Sequence, residues 1–347
     1  MSTVIVVGGG ISGVACAGAL NARGHAVTLL DKGRVLGGRM ASRTVRDSGT
    51  PSDGHVVDIG ASYFTAQHEA FQPLIEAMVG EGVVRPWTDT FHVASSGGID
   101  GVKTGPIRYT AANGIRSIVE HLARQLTDTE IISAHGVASV SCDDDGLLID
   151  GARAEAAALC MPSPQARALI DPSAPQFTDA LFATHELVWE PVIAVTAIYD
   201  SPTWREFDGM FVNDDPVITW IANDGSRRGT GAPVLVAHVQ PVLAARHLER
   251  PADVLPAALG AIQRVLGIDE TPTWATVQRW TYAKPMSAST DPFFLNETVG
   301  LGLAGDAWAG GPRVETAWLS GHLLGHALSD RRERSANDVR VTGMSSL

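Results

Sequence analysis

Cysteine is scarce in this 347-residue sequence. Cys16, Cys142 and Cys160 are few, odd in number and free of C-x-x-C spacing, which excludes a disulfide framework and a zinc-ribbon type of site. They read as buried small side chains in a reducing compartment. Lysine is also rare, with Lys32, Lys103 and Lys284 the only three among 26 basic residues, a bias of composition rather than of mechanism. The formal net charge of −12 excludes a nucleic-acid footprint or a polybasic membrane patch and implies good solubility. No apolar run reaches the ~18 residues of a membrane span. Ala15-Cys16-Ala17 resembles a signal-cleavage site, but no basic segment precedes it and glycines cut the apolar run. A cytoplasmic protein is therefore expected.

What the chain does have is a glycine-rich opening. Val4–Val7 is a continuous apolar run, the mark of a strand buried on both faces of a parallel sheet. Gly8, Gly10 and Gly13 then fit G-x-G-x-x-G, and Asp31 stands 18 residues beyond Gly13, after a second apolar run. The first glycine allows a tight turn, the second lets backbone approach a pyrophosphate, and the third lets the helix pack on the strand. The helix presents free N–H groups and its positive dipole end to that phosphate, and a carboxylate so placed accepts ribose hydroxyls. Strand, turn, helix and acid agree on an ADP-containing dinucleotide. Gly37-Gly38-Arg39 follows and suits further pyrophosphate contacts.

Further along, residues 46–55 are a polar, turn-rich excursion, 71–79 have helical spacing, and a polar, glycine-rich stretch runs on to Gly105. Residues 114–126 form the clearest amphipathic helix. Short strands are expected at 131–132, 137–140 and 147–149. From 187 to 282 strands follow one another (187–199, 217–222, 234–239, 277–283) with one helix at 254–266, the pattern of an antiparallel sheet with a crossing helix. A buried strand at 299–304 and a helix from Pro312 to 328 close the fold. The expected division is a discontinuous dinucleotide domain of 1–65, 106–165 and 284–330, a substrate domain of 66–105 and 166–283, and a disordered tail at 331–347. Gly300, Gly302 and Gly305 repeat the glycine spacing, but inside a strand and with Asp306 next, so no second dinucleotide domain is expected.

The glycine motif, Gly37-Gly38-Arg39, Gly60-Ala61, Gly305-Asp306 and Val314-Glu315-Thr316-Ala317 together resemble the FAD-binding amine oxidase superfamily. Four pieces resemble its renalase branch and that branch's bacterial members. They are Asp58 to Thr65, Trp220-Ile221-Ala222-Asn223-Asp224, Arg279 to Pro285, and Arg313 to Gly321, so the likeness runs over almost the whole chain to Leu328. The resemblance implies an α/β fold: a Rossmann-type FAD-binding domain with an inserted α+β substrate domain on an antiparallel sheet, as in amine oxidases and p-hydroxybenzoate hydroxylase. It implies FAD, held non-covalently. Gly8, Gly10, Ile11, Ser12 and Gly13 would lie at the pyrophosphate, Asp31 and Lys32 at the adenosine, and Gly38 and Arg39 by the phosphates. Val137 would bond the adenine through its backbone. Gly60 and Ala61 would approach the isoalloxazine, Gly305 and Asp306 would hold the ribityl or pyrophosphate region, and Arg313, Val314 and Glu315 would open a helix aimed at the flavin N1–C2=O edge. Thr316 stands where the family commonly carries glycine, and the composition of residues 307–312 differs from related loops.

The resemblance further implies an oxidase of 2- and 6-dihydro-NAD(P) isomers, with hydride passing to flavin N5 and O2 then yielding hydrogen peroxide. Many amine oxidases carry a lysine on a substrate-domain strand, and the corresponding stretch 187–199 has none. Hydride loss from a dihydropyridine needs no general base, so a slot of aromatics and neutral polar groups is expected, with Tyr63, Trp220, His238, Trp280 and Tyr282 as candidates. No residue is singled out as a catalytic acid or base, and no metal is expected. Two other readings stand beside this one: a flavin amine oxidase or desaturase acting on a small apolar substrate, and a flavin-binding protein without catalysis. Expected partners are the small-molecule substrate and O2, in a monomer or homodimer.

Overall fold

The computed structural model describes residues 4–185 and 187–344. It divides into two compact units, 1–38 with 119–188 and 285–347, and 39–118 with 189–284.

The first unit is built on a six-stranded sheet in the order Phe294–Asn296, Leu301–Leu303, Ala156–Leu159, Val4–Val7, Val27–Leu30, Thr129–Ile132. All neighbours are parallel except the antiparallel edge strand Phe294–Asn296. Val4–Val7 and Ala156–Leu159 are buried along their whole length, which is why they read as unbroken apolar runs. The helix Ile11–Asn21 packs against the last helix, Val314–Met344, through glycine. A Cβ on Gly321 would stand 1.9 Å from the Ser12 carbonyl oxygen, and one on Gly325 would stand 2.6 Å from that of Cys16.

Several expectations are corrected here. The last helix does not stop at 328 but continues to Met344, so residues 331–344 are helical rather than a disordered tail, and 345–347 lie outside the described residues. Residues 137–139 are irregular, and the strand begins at Val140, in an antiparallel three-stranded sheet with Gly146–Ile149 and Ala152–Ala154. Residues 166–188, expected in the substrate domain, pack within this unit. Their helices Ser163–Leu169 and Thr178–His185 are tied to it by a bridge from Ile170 to Val140 and by Asn296 Nδ2 donating to the Gln176 carbonyl.

The second unit holds a seven-stranded sheet in the order Trp274–Pro285, Trp189–Ile198, Val234–Val239, Ile218–Asn223, Gly209–Val212, Arg85–Ser95, Gly98–Thr110. It is not wholly antiparallel, because Gly209–Val212 runs parallel to Arg85–Ser95. The helix Leu255–Leu266 buries Ala258, Ala261, Ile262 and Val265 in the core beneath it. The polar, glycine-rich stretch is part of a long hairpin, Arg85–Ser95 with Gly98–Thr110. Its outer strand is exposed over most of its length, so no apolar alternation marked it. Residues 39–65 and 106–118, expected in the dinucleotide domain, pack within this unit. Ser42–Thr44 pairs with Val56–Asp58, and Asp58 is held by partners within the unit. Among the described residues no helix is long and apolar enough to cross a membrane.

Candidate functional site

In the first unit the turn after Val4–Val7 is shaped by its glycines. Gly8 has φ +110°, and a Cβ there would meet the Cys160 carbonyl oxygen at 2.4 Å, while one on Gly13 would meet the Gly8 oxygen at 1.9 Å. Gly10 differs: its φ is an ordinary −81°, and the nearest atom to a Cβ would be Gly38 Cα at 3.9 Å. No described atom closer than 3.9 Å requires glycine there, so the turn has open space beside it. Ile11 and Ser12 begin the helix, and the Ser12 hydroxyl is buried without a partner among the described residues. Gly37 N–H donates to the Gly9 carbonyl at 2.8 Å, which brings Gly38 against Gly10.

Asp31 is engaged with the loop itself. Its Oδ2 accepts from Gly9 N–H and its Oδ1 accepts from Gly33 N–H at 2.6 Å, tying the glycine turn to the second strand. Each oxygen keeps another lone-pair direction for a hydroxyl donor. Lys32 is exposed next to it. Half-buried Val137 lies in the irregular segment, and its backbone has no hydrogen-bond partner among the described residues. Gly305 holds φ +144° while its N–H donates to Ser320 Oγ at 3.0 Å, and Asp306 and Glu315 are buried.

The helix from Val314 has a cap that the sequence reading missed. Thr316 Oγ1 accepts from Arg313 N–H at 3.0 Å and donates to the Gly311 carbonyl. This is the back-reaching half of a capping box, made by threonine in place of the usual glutamate. It leaves the Val314 and Glu315 N–H groups at the positive end of the dipole.

In the second unit, Gly60 lets two strands of chain touch. A Cβ there would lie 2.0 Å from the Arg39 carbonyl oxygen, which accepts the Ala61 N–H at 2.9 Å. Arg39 donates from Nη1 to the Ala283 carbonyl at 3.0 Å, and its guanidinium lies 5.1 Å from the Trp189 ring centre. The five expected slot residues do not gather in one place. Tyr63 packs on Phe91 and Trp220, with centroids at 5.0 and 5.6 Å, and Trp220 faces His238 across neighbouring strands. Trp280 instead donates its indole N–H to the Ile59 carbonyl at 2.6 Å and packs, with Trp274, against the cluster that includes Val57, Ile59 and Val236. Tyr282 meets Trp189 edge-on at 6.4 Å.

Two titratable side chains of this aromatic cluster are biased to their neutral forms, although the Arg108 guanidinium lies 4.3 Å from the Phe91 ring centre. Burial, helped by Arg227, pushes the half-buried His238 imidazole down to about 4, and burial raises the Tyr63 phenol although Arg108 opposes it. His238 Nε2 and Trp220 Nε1 have no partners among the described residues.

Behind this turn lies an ion network that sequence reasoning did not identify. Asp58, Asp224 and Arg227 are wholly buried and Arg228 nearly so. Asp58 Oδ1 accepts from Ser42 Oγ at 2.6 Å and from Ile115 N–H at 2.9 Å, and its Oδ2 pairs with Arg228. Asp224 Oδ1 accepts from Arg227 Nε at 2.9 Å and its Oδ2 meets His55 Nε2 at 2.8 Å. Arg227 Nη1 donates to the Ser62 carbonyl and Arg228 Nε to that of Val56, both at 2.9 Å. Burial acts to raise the Asp224 carboxyl, but Arg227 and Arg228 outweigh it and hold the pKa well below the usual range. In the sequence, Asp224-Gly225-Ser226-Arg227-Arg228-Gly229 looks like any exposed turn. The one hint is that two arginines closely follow the apolar strand residues Trp220, Ile221 and Ala222.

Comparison with known proteins bears on this arrangement. Residues 6–79 match the NAD(P)-binding Rossmann-like domain, and residues 91–323 match the family described as flavin containing amine oxidoreductase. Similar solved structures include a protein assigned as a protoporphyrinogen oxidase from Exiguobacterium sp. 255-15, with TM-score 0.75, 18% identity, and 96% of this chain and 99% of that one covered. Cyclohexylamine oxidase from Brevibacterium oxydans superposes with TM-score 0.71 at 15% identity, over 96% of this chain and 99% of that one. Putrescine oxidase bound to putrescine does so with TM-score 0.68 at 17% identity, over 98% and 99%. At these identities the likeness is one of fold.

Proposed function

Since the chain belongs to the flavin containing amine oxidoreductase family and its cofactor is FAD, we propose that it oxidises the 2- and 6-dihydro isomers of NAD(P) to NAD(P)+. FAD, when bound, supplies the hydride acceptor and passes the electron pair on to O2, giving hydrogen peroxide. The observation that carries the reading is that the titratable side chains beside Trp220 offer no base: His238, opposite Trp220, is held at about 4, and the Tyr63 phenol, packed on Trp220, is raised. Loss of hydride turns a dihydropyridine into an aromatic pyridinium and leaves no proton for the protein to accept. The protein's task is to hold two flat rings together and keep water out.

The chain's own residues fit that task. The Gly8, Gly10 and Gly13 turn, with the Ile11 and Ser12 N–H groups, holds a pyrophosphate. Asp31 and Lys32 attend the adenosine, Val137 offers its backbone to adenine, and Gly38, Gly305 and Asp306 of the first unit, with Arg39 of the second, are the further residues assigned to the cofactor. Gly60 and Ala61 keep the approach to the ring free of side chains. Arg313, Val314 and Glu315 present a positive helix end, which stabilises negative charge gained on reduction.

The named functions of two fold neighbours favour an amine oxidase as the second reading. Against it, the strand Trp189–Ile198 contains no lysine. Anaerobic mixing of the yellow protein with dihydro-NAD isomers, ordinary NADH and an amine panel separates them. Bleaching by the isomers alone, reversed by air with peroxide release, is the expected result. Bleaching by amines alone transfers the assignment to the amine oxidases, and no bleaching at all leaves either a substrate outside this set or a non-catalytic flavoprotein.

A further inference from the structure

The second unit carries a groove of about 680 Å³ between the strands Ser42–Thr44 and Trp274–Pro285. Three guanidiniums, Arg43, Arg46 and Arg116, and two indoles, Trp274 and Trp280, line it, with Gln278 among them. Among the described residues no carboxylate lines it, although the chain carries a net charge of −12. Arg43 gives one N–H to Gln278 Oε1 at 2.8 Å, and Arg116 gives Nη2 to the Ser42 carbonyl. Each therefore keeps donors to spare from its five. Arg116 Nε is buried without a partner, and the exposed Arg46 guanidinium also has none among the described residues. Ile59, whose carbonyl accepts the Trp280 indole N–H, also lines the groove and directly precedes Gly60 in the chain.

A planar guanidinium fork matches a phosphate oxygen pair, and indole faces stack on a purine. We propose that this groove binds the phosphate-bearing adenylate half of the dinucleotide substrate, so that the 2′-phosphorylated dihydronicotinamide isomers are preferred over the unphosphorylated ones. This rests on the reading of the reaction given above, but binding at the groove is measurable without turnover.

Isothermal titration of the FAD-loaded protein with 2′,5′-ADP, 5′-AMP and inorganic phosphate is the test. 2′,5′-ADP is expected to bind at least about tenfold more tightly than the other two. Arg46→Ala, at an exposed position, should weaken it about tenfold, and added salt should weaken it further. FAD content should stay unchanged. The proposal is overturned if 2′,5′-ADP binds no better than phosphate, if Arg43→Ala and Arg46→Ala bind it as the wild type does, or if these variants lose FAD. Arginine-dependent binding without flavin bleaching by the isomers would uphold the groove and sink the reaction. Bleaching without such binding would sink the groove alone.

Discussion

Arg227 Nη1 stands 2.9 Å from the carbonyl oxygen of Ser62, a residue 165 positions earlier, and both are buried. The guanidinium thereby fixes the chain between Asp58 and Tyr63 from behind, while its charge is balanced by Asp58 and Asp224. The turn carrying Gly60, Ala61 and Tyr63 is held by electrostatics rather than by packing alone.

Removing that guanidinium leaves two buried carboxylates with a single arginine between them. Arg227→Ala should destabilise the protein by about 3–5 kcal/mol, because an uncompensated buried charge remains. Urea unfolding monitored by tryptophan fluorescence measures it. Arg227→Lys should recover little, since one ammonium cannot serve Asp224, Ser62 and Asp58 together. A loss under 1 kcal/mol in Arg227→Ala would show that the network is not structural.

Acid should attack the same network. Asp224 titrates below its unfolded value, so its contribution is complete above pH ~4 and is lost as pH falls further. His238 adds a second dependence, because its folded pKa of about 4 lies below the unfolded imidazole's. Stability should decline from about pH 6.5 down toward 4 as the unfolded state takes up that proton, by no more than about 3 kcal/mol. Chemical unfolding across pH 4–7 should show this slope in the wild type and not in His238→Gln.

Two glycines of one motif should fail in different ways. Gly8→Ala forces φ +110° and a Cβ at 2.4 Å from a carbonyl oxygen, so the variant should unfold more easily whether or not FAD is present. Gly10→Ala meets no protein atom within 3.4 Å, so the FAD-free protein should keep its stability to within about 0.5 kcal/mol. Its FAD affinity should fall at least about tenfold. Equilibrium dialysis of FAD beside thermal unfolding separates the two outcomes.

The threonine cap offers a smaller, cleaner test. Thr316→Val keeps the shape but removes the hydroxyl that bonds Arg313 N–H and the Gly311 carbonyl. The expected cost is about 1 kcal/mol, the usual value of a helix cap. Equal stability of the variant and the wild type would refute a capping role.

What could be read in advance was local. The run Val4–Val7, the Gly8–Gly13 spacing and the second apolar strand belong to one short segment whose periodicity and backbone limits act between near neighbours. The strand Val234–Val239 and the helix near 255–266 were legible for the same reason. The hairpin from Arg85 to Thr110 was not, because an exposed edge strand with Gly101, Gly105 and Pro106 has no apolar face to announce it.

By itself, then, the sequence determined that a dinucleotide cradle opens this chain and that a mainly antiparallel sheet follows. Hydrophobic period and glycine stereochemistry suffice for both. Only the tertiary structure decided that Arg227 and Arg228 are core residues, that Asp31 is tied to the glycine turn, and that Trp280 lies apart from Tyr63 and Trp220. A charge can be buried only where opposite charges and carbonyl oxygens converge on it. Here those partners come from Val56, Asp58, Ser62, Ala111 and Asp224, positions that meet only when the chain has folded.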